Sequence, residues 1–408
     1  MSISSRLRTK EELLEFIGEQ SAFRGRVAGS EEERNCQAAL AGRLDRLGLE
    51  ASVEGAVVPP LSQHILFVHG LTGLFACILT LLKPLLALLL GAVATLSFWG
   101  ELRGRPRLLR GVLMNRLSGN MIARLRNDRA RAALVLVAHA DVASSSLHFR
   151  PLVKRFTIRR EQPGRTLHPG SLVLVAGVVQ VVVAAHLWSS PEGSTLAMVG
   201  LLGAALVQGA LLALAVDWWR SPPVEGAIDN ASGLAVAWGV AKALVDEPLK
   251  NTELWLLATG DREPDCGGMR SFLHQSAYMF DPGSTFFVNI DDVGRGDLHY
   301  AIAEGRWHKS AYRATLPGLA ERLAQRPEFS DVRETTLVGT TDAGIATSRG
   351  FRAITLTSLV DGHRPGLLHT HDDCLEAVEP ETVEKAQRFA LELARQVDRF
   401  VGAEDEAL

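Results

Sequence analysis

Cysteine is scarce in this chain of 408 residues: Cys36, Cys77, Cys266 and Cys374 are all there is, and no two are spaced Cys-x-x-Cys. That excludes a disulfide framework. Aromatics are sparse at 6%, although 47% of residues are hydrophobic, so aliphatic side chains carry the apolar excess. Basic surplus is absent, since the formal net charge is -3. No dominant positive field exists to neutralise phosphates, and a nucleic-acid partner is not expected. The opening segment MSISSRLRTKEELLEFIGEQ lacks the apolar core of a secretory signal and reads as polar and amphipathic. There is no low-complexity tract and no internal repeat beyond two apolar hairpins.

Those hairpins hold the aliphatic excess. No charged residue falls between Ile65 and Leu82, or between Leu85 and Trp99, with Lys83-Pro84 between the runs. A second pair runs Leu172 to Trp188 and Thr195 to Val216, around Ser189–Ser194. Apolar runs of about 18 residues or more are candidates to cross a bilayer, whose hydrocarbon core is roughly 30 Å thick. The run Leu85 to Trp99 is short, and is expected to be tilted, re-entrant or interfacial. Buried core helices are the alternative, but such helices usually keep a wet edge. Arg103, Arg105, Arg107, Arg110 and Arg116 follow the first pair; Arg150, Lys154, Arg155, Arg159, Arg160 and Arg165 precede the second, and Arg220 follows it. The tips carry only Lys83 and Glu192. An integral, multi-pass protein is therefore expected, with lipid as a partner and the termini and polar segments in the cytoplasm.

The rest alternates helix and strand. Glu11 to Phe23 has helical spacing, and Ser30 to Leu47 predicts a second helix with Ser30 and Glu33 as a capping box. Strands are predicted at Ala133–Ala138, Glu253–Ala258, Ser284–Ile290, Leu298–Ala303 and Arg352–Leu356. Helices are predicted at Asn230–Leu244, Gly268–Tyr278, Ser310–Leu323 and Pro380–Phe400. This is the pattern of an α/β protein, a three-layer α/β/α sandwich around a mixed, largely parallel sheet, with the apolar hairpins as insertions. The expected division is 1–64, 100–170 and 220–408 as parts of one domain, interrupted by transmembrane hairpins at 65–99 and 171–219.

Ligands of such sheets bind beyond the carboxyl ends of the strands. His139 and Asp141 end ALVLVA, Glu263 lies past ELWLLATG, Asp291 and Asp292 end FFVNI, and His369 follows RAITLTSL and a short loop. Asp229 stands before the helix opening Asn230-Ala231-Ser232-Gly233. Each has a plainer reading: a surface histidine, a helix cap, a solvated loop charge, a turn. Together, imidazole and carboxylate at matching strand ends suit zinc.

The ordered motifs AHAD (138–141), AIDNASG (227–233), DREPDCGGMRSFL (261–273), NIDDVG (289–294) and LHTHDD (368–373), with RVAGSEEER (26–34), resemble the di-zinc aminopeptidases of peptidase family M28. The resemblance spans the chain except roughly Leu61–Ser118 and Ala143–Val224. It implies two zinc ions and a peptide substrate. His139 and Asp291 would serve one ion, Glu263 and His369 the other, and Asp229 would bridge them. Asp141 would orient His139, and Asp342 in TTDAG would line the site.

One departure stands out. The family carries two adjacent glutamates, the first a general base, and here that position is Arg262. An arginine cannot accept a proton. Asp261 is then the surrogate base, or catalysis is much reduced, and Arg262 brings a positive charge that can anchor an anionic group. The leading expectation is a zinc metallopeptidase removing N-terminal residues at the membrane. The others are a catalytically impaired relative binding a peptide, metal or partner, and a related zinc hydrolase or transferase on another amine or amide. Cys266 and Cys374 flank Glu263 and His369 and are read as small buried residues without a stable disulfide.

Overall fold

The computed structural model describes residues 7–103, 108–147, 169–190, 192, 194–305, 309–362 and 366–406. The chain divides into two compact units. The first comprises Met1–Val58, Arg116–Ala143 and Pro223–Leu408; the second comprises Pro59–Asn115 and Ser144–Pro222.

The first unit is built on one sheet. Its strands among the described residues are β1 (Glu50–Val58), β2 (Arg116–Leu125), β3 (Ala132–His139), β4 (Thr252–Thr259), β5 (Thr285–Ile290), β6 (Asp297–Glu304), β7 (Ser310–Ala311), β8 (Arg333–Leu337) and β9 (Arg352–Leu359). Their order is β1-β2-β4-β3-β5-β9-β6-β7, with β8 pairing β6. The centre is parallel: β3 pairs with β4 and β5, and β5 with β9. The β1–β2, β2–β4, β6–β9 and β6–β7 ladders are antiparallel. Central strands covered on both faces need continuous apolar runs, and Leu134 to Val137 of β3 are fully buried.

Helices flank the sheet. Helices Lys10–Ser21, Glu31–Asp45 and Ser232–Asp246 pack together through Phe16, whose ring stacks on Trp238 at 4.8 Å, and through Arg43 over both rings. The long helix Pro380–Glu406 packs against Ser232–Asp246, and Gly267–Gln275 packs against Asp342–Ser348.

Three local expectations are corrected. Residues 310–323 are not one helix: Ser310–Ala311 pairs with β6 as an edge strand, and the helix is Thr315–Ala324. The capping box at Ser30 is half made. Ser30 Oγ accepts from Glu33 N, but the Glu33 carboxylate accepts from Gly29 N and Ser118 Oγ instead. Strands β1, β2 and β8 lie where no strand was expected; β1 exposes most of its residues, so it has no buried run to read.

The second unit holds four helices, Ser62–Leu82, Pro84–Arg103, Pro169–Ser189 and Thr195–Arg220. By length and composition each is long and apolar enough to cross a membrane, the second included, over the 19 residues Pro84–Leu102. Close approach between them uses small residues: a Cβ on Gly70 would meet the Leu212 backbone nitrogen at 2.9 Å. Gln180 is matched inside the unit, donating to Thr80 Oγ1 and to the Ala87 carbonyl, whereas the buried Gln208 Oε1 has no hydrogen-bond partner among the described residues. Outward faces are apolar, with Leu82, Val182, Leu196 and Leu206 each more than 60% exposed. Of the basic flanks, Arg105, Arg107, Arg150, Lys154, Arg155, Arg159, Arg160 and Arg165 lie outside the described residues. Arg110 is ion-paired with Glu101 at 2.6 Å.

Candidate metal centre

The parallel pairing of β3, β4, β5 and β9 brings their carboxyl ends to one edge of the sheet, and the polar motifs follow those ends. His139 is the last residue of β3, in register with Thr259 at the end of β4. Asp291 follows β5 and is held by its N–H to the Leu356 carbonyl of β9. Asp229 sits in the irregular turn Ala227–Ala231 that opens helix Ser232–Asp246. That helix start lies close on β5, since a Cβ on Gly233 would come within 2.5 Å of the Ile290 carbonyl oxygen. Only glycine permits the approach.

The five expected ligand residues converge as two triads that share Asp229. In one, His139 Nε2 lies 2.9 Å from Asp229 Oδ1 and 3.3 Å from Asp291 Oδ1. In the other, His369 Nε2 lies 3.3 Å from Asp229 Oδ2 and 2.6 Å from Glu263 Oε2. His139, both oxygens of Asp229 and Asp291 are buried. His139 Nε2, Asp229 Oδ1 and Oδ2, and Asp291 Oδ1 have no hydrogen-bond partner among the described residues. Buried polar atoms without partners are costly, and imidazole nitrogen with carboxylate oxygen is a zinc donor set. Donors on one zinc lie roughly 3–4 Å apart given bonds of about 2.0–2.2 Å. The two 3.3 Å pairs meet that spacing and the 2.9 and 2.6 Å pairs are closer, at hydrogen-bond distance, so the residues fit the ion by donor type and by the convergence of their unpartnered atoms. Asp292 is a further buried carboxylate within 4.8 Å of Asp229 and Asp291.

Charge in the cluster follows from burial and pairing. Burial pulls the His139 imidazole down, but the carboxylates of Asp141, Asp229 and Asp291 outweigh it and raise it well above its usual value. Burial likewise lowers His369, and Glu263 and Asp229 lift it to about 10. Burial pushes Asp229 up, yet the two histidines hold it well below the usual carboxylate range. Asp292 has no such partner, and burial with the charges of Asp229 and Asp291 drives it well up.

Asp141 contacts more than its neighbour His139. His139 Nδ1 bonds to the Asp141 backbone oxygen at 3.0 Å, and the carboxylate lies 3.5 Å from the same nitrogen. That carboxylate also accepts from the backbone N–H groups of Arg262 and Glu263, at 3.1 and 3.2 Å. It therefore ties the end of β3 to the short helix Arg262–Asp265.

Asp261 is not where a surrogate base has to be. Its backbone is left-handed, with φ 52°. Its carboxylate Oδ1 is 2.5 Å from Arg116 Nη2, and its N–H donates to Glu33. The arginine draws the side chain to its own cluster with Glu33, and among the described residues no hydrogen bond or ion pair links it to either triad. Arg262 does enter the centre. Its Nη1 donates to Glu263 Oε1 and its Nη2 to Asp291 Oδ2, both at 2.6 Å. Asp342 is buried, and its Oδ2 accepts from Thr259 Oγ1 at 2.6 Å. Burial raises it to about 6 despite that bond.

Sequence reasoning passed over four supports. Asp373 accepts from the backbone N–H of Ile228 at 2.6 Å and of Asp229 at 3.3 Å, fixing the shared residue. Asn230 donates to the Ile290 carbonyl and accepts from the Asp292 N–H. Asn230 stands inside AIDNASG and Asp373 inside LHTHDD, their one local signal. By sequence alone Arg116 is one of the basic flanks of the first apolar pair, and Glu33 half of a helix cap. Nothing local marks either one, because their partners are 145 and 85 positions away. All four cysteines are free; Cys266 is buried against the Thr340 carbonyl.

Residues 179–394 match the model of peptidase family M28. The match begins inside the second apolar pair and includes Asp229, Glu263, Asp291 and His369, but not His139. No curated protein matches the chain. Among solved structures, the glutaminyl cyclase of Porphyromonas gingivalis is similar at 12% identity and a TM-score of 0.55, over 95% of this chain and 98% of that one. A leucine aminopeptidase precursor from Bacteroides thetaiotaomicron is similar at 12% identity and a TM-score of 0.54, over 95% and 98%. A Zn-dependent exopeptidase from Parabacteroides distasonis is similar at 14% and 0.51, over 94% and 97%. At such identities the likeness is one of fold: a mixed, largely parallel sheet with flanking helices. The family match covers more than half of the sequence, and on that ground the chain belongs to peptidase family M28.

Proposed function

We propose that this chain is a zinc-dependent, aminopeptidase-like protein of a membrane that takes the amino end of a peptide at the His139–Asp229–Glu263–Asp291–His369 cluster. The observation that carries this reading is the pair of histidine–carboxylate triads sharing Asp229. Zinc supplies a Lewis acid that polarises a carbonyl and lowers the pKa of water. The chain supplies the rest. Asp373 fixes Asp229, Asp141 joins the two motifs, and Arg262 presents a permanent charge where an acyl group would lie. Arg262 accepts no proton, and Asp261 is engaged by Arg116, so hydrolysis lacks a side-chain base at this turn. Such help is typically worth about 10²–10⁴-fold, and native turnover is correspondingly slow.

A second reading is favoured by the same two observations, namely a peptide- or metal-binding protein without turnover. Detergent-purified full-length protein, assayed for zinc and on a panel of aminoacyl substrates, separates them. The first reading expects measurable native hydrolysis, a gain of about 10²-fold or more in Arg262→Glu, and none lost in Asp261→Asn. Bound zinc with no turnover in either the native chain or Arg262→Glu selects the binding protein. A chain that takes up no zinc in either form removes the metal from both.

A further inference from the structure

We infer that Arg262 limits the centre to one tightly held divalent cation, its guanidinium standing in for the charge of a second. This rests on the reading that the two triads take zinc. The guanidinium reaches a carboxylate of each triad, Glu263 through Oε1 and Asp291 through Oδ2, both at 2.6 Å. It leaves Glu263 Oε2 and Asp291 Oδ1 facing their histidines. Arg262 thus spans the two positions without blocking either.

Its effect is through charge. Among the ligand side chains themselves, with the histidines neutral, Asp229, Glu263 and Asp291 carry three negative charges, and Arg262 reduces their net charge to two units negative. The first dication neutralises it. A second then enters with no net attraction and faces two cations a few ångströms away, where burial weakens screening. Nor does the arginine swing clear at no cost, since its backbone N–H is held by Asp141 and its side chain is mostly buried. A lysine at 262 would keep the charge, a glutamine would remove it, and a glutamate would reverse it.

The test is zinc titration of the chelator-stripped full chain in detergent, with bound metal counted by atomic emission and affinities read by competition with a chromophoric chelator. The native chain and Arg262→Lys are expected to retain one zinc through gel filtration, with the second at least about 10-fold weaker, the scale of outer-shell effects on metal sites. Arg262→Gln is expected to tighten the second site, and Arg262→Glu to retain two. Two equally tight zincs in the native chain overturn the inference. So does an equal count in the native, Arg262→Gln and Arg262→Glu forms, or a count of two in Arg262→Lys. Thermal unfolding of each variant separates a lost site from a lost fold. Should no form retain zinc, or should Asp229→Asn retain as much as the native chain, the underlying metal reading fails, and the inference with it.

Discussion

At the scale of single residues, two buried acids outside the triads carry separate consequences, Glu33 for stability and Asp373 for the metal centre. Burial and then the charge of Asp141 raise the Glu33 carboxyl to about 8, well above its ordinary 4.5. A group raised in the folded state binds its proton more tightly there. Its contribution to stability is full below about pH 4.5 and declines as the pH climbs towards 8. Glu33→Gln carries no proton to lose. It is therefore expected to flatten the fall in stability between pH 5 and pH 8 by on the order of 2–4 kcal/mol. Denaturant unfolding at the two values measures this, and an unchanged difference would assign the proton elsewhere. Asp373 acts on geometry. Both its oxygens accept backbone N–H groups that fix Asp229, and an asparagine can accept with only one. Asp373→Asn is expected to weaken zinc binding about 10–100-fold while the fold remains. Competition with a chelator reads it, and native affinity in that variant would deny Asp373 its positioning role.

At the scale of elements, the helices of the second unit depend on bare backbone at particular turns. Gly70 faces the Leu212 backbone, which cannot yield as a flexible side chain can. Gly203 has nothing within 4 Å and is exposed. Gly70→Leu is expected to cost about 1–3 kcal/mol of stability, and Gly203→Leu close to none. Thermal unfolding in detergent compares them, and equal losses would mean that general helix propensity, not packing, is being measured. In the first unit, the same logic of close approach sets the start of helix Ser232–Asp246 on β5, and with it the position of Asp229.

At the scale of the whole molecule, four helices are long and apolar enough to cross a membrane, and four crossings would bring both ends of the chain to one side. Membrane integration with both termini on one side is the expected outcome. The protein is expected to remain in the membrane pellet after alkaline carbonate extraction. Tags at the two ends are expected to become protease-accessible from the same, cytoplasmic side. Release by carbonate, or tags digested from opposite sides, would overturn the topology.

The sequence by itself determined the α/β class, the four long apolar helices and the order of the metal-type residues. These are local properties: period, run length and the residue at a strand end. It also showed that position 262 holds an arginine. Only the tertiary structure decided where the charges of the 261–263 turn point. A left-handed backbone at Asp261 and a partner 145 positions earlier turn that carboxylate to Arg116. Arg262 turns instead to Glu263 and to Asp291, 29 positions on. Long-range pairing of charges leaves no trace in period or composition, because it depends on which strands lie side by side. For the same reason Arg116 resembled a membrane flank, although the sheet sets it beside Asp261.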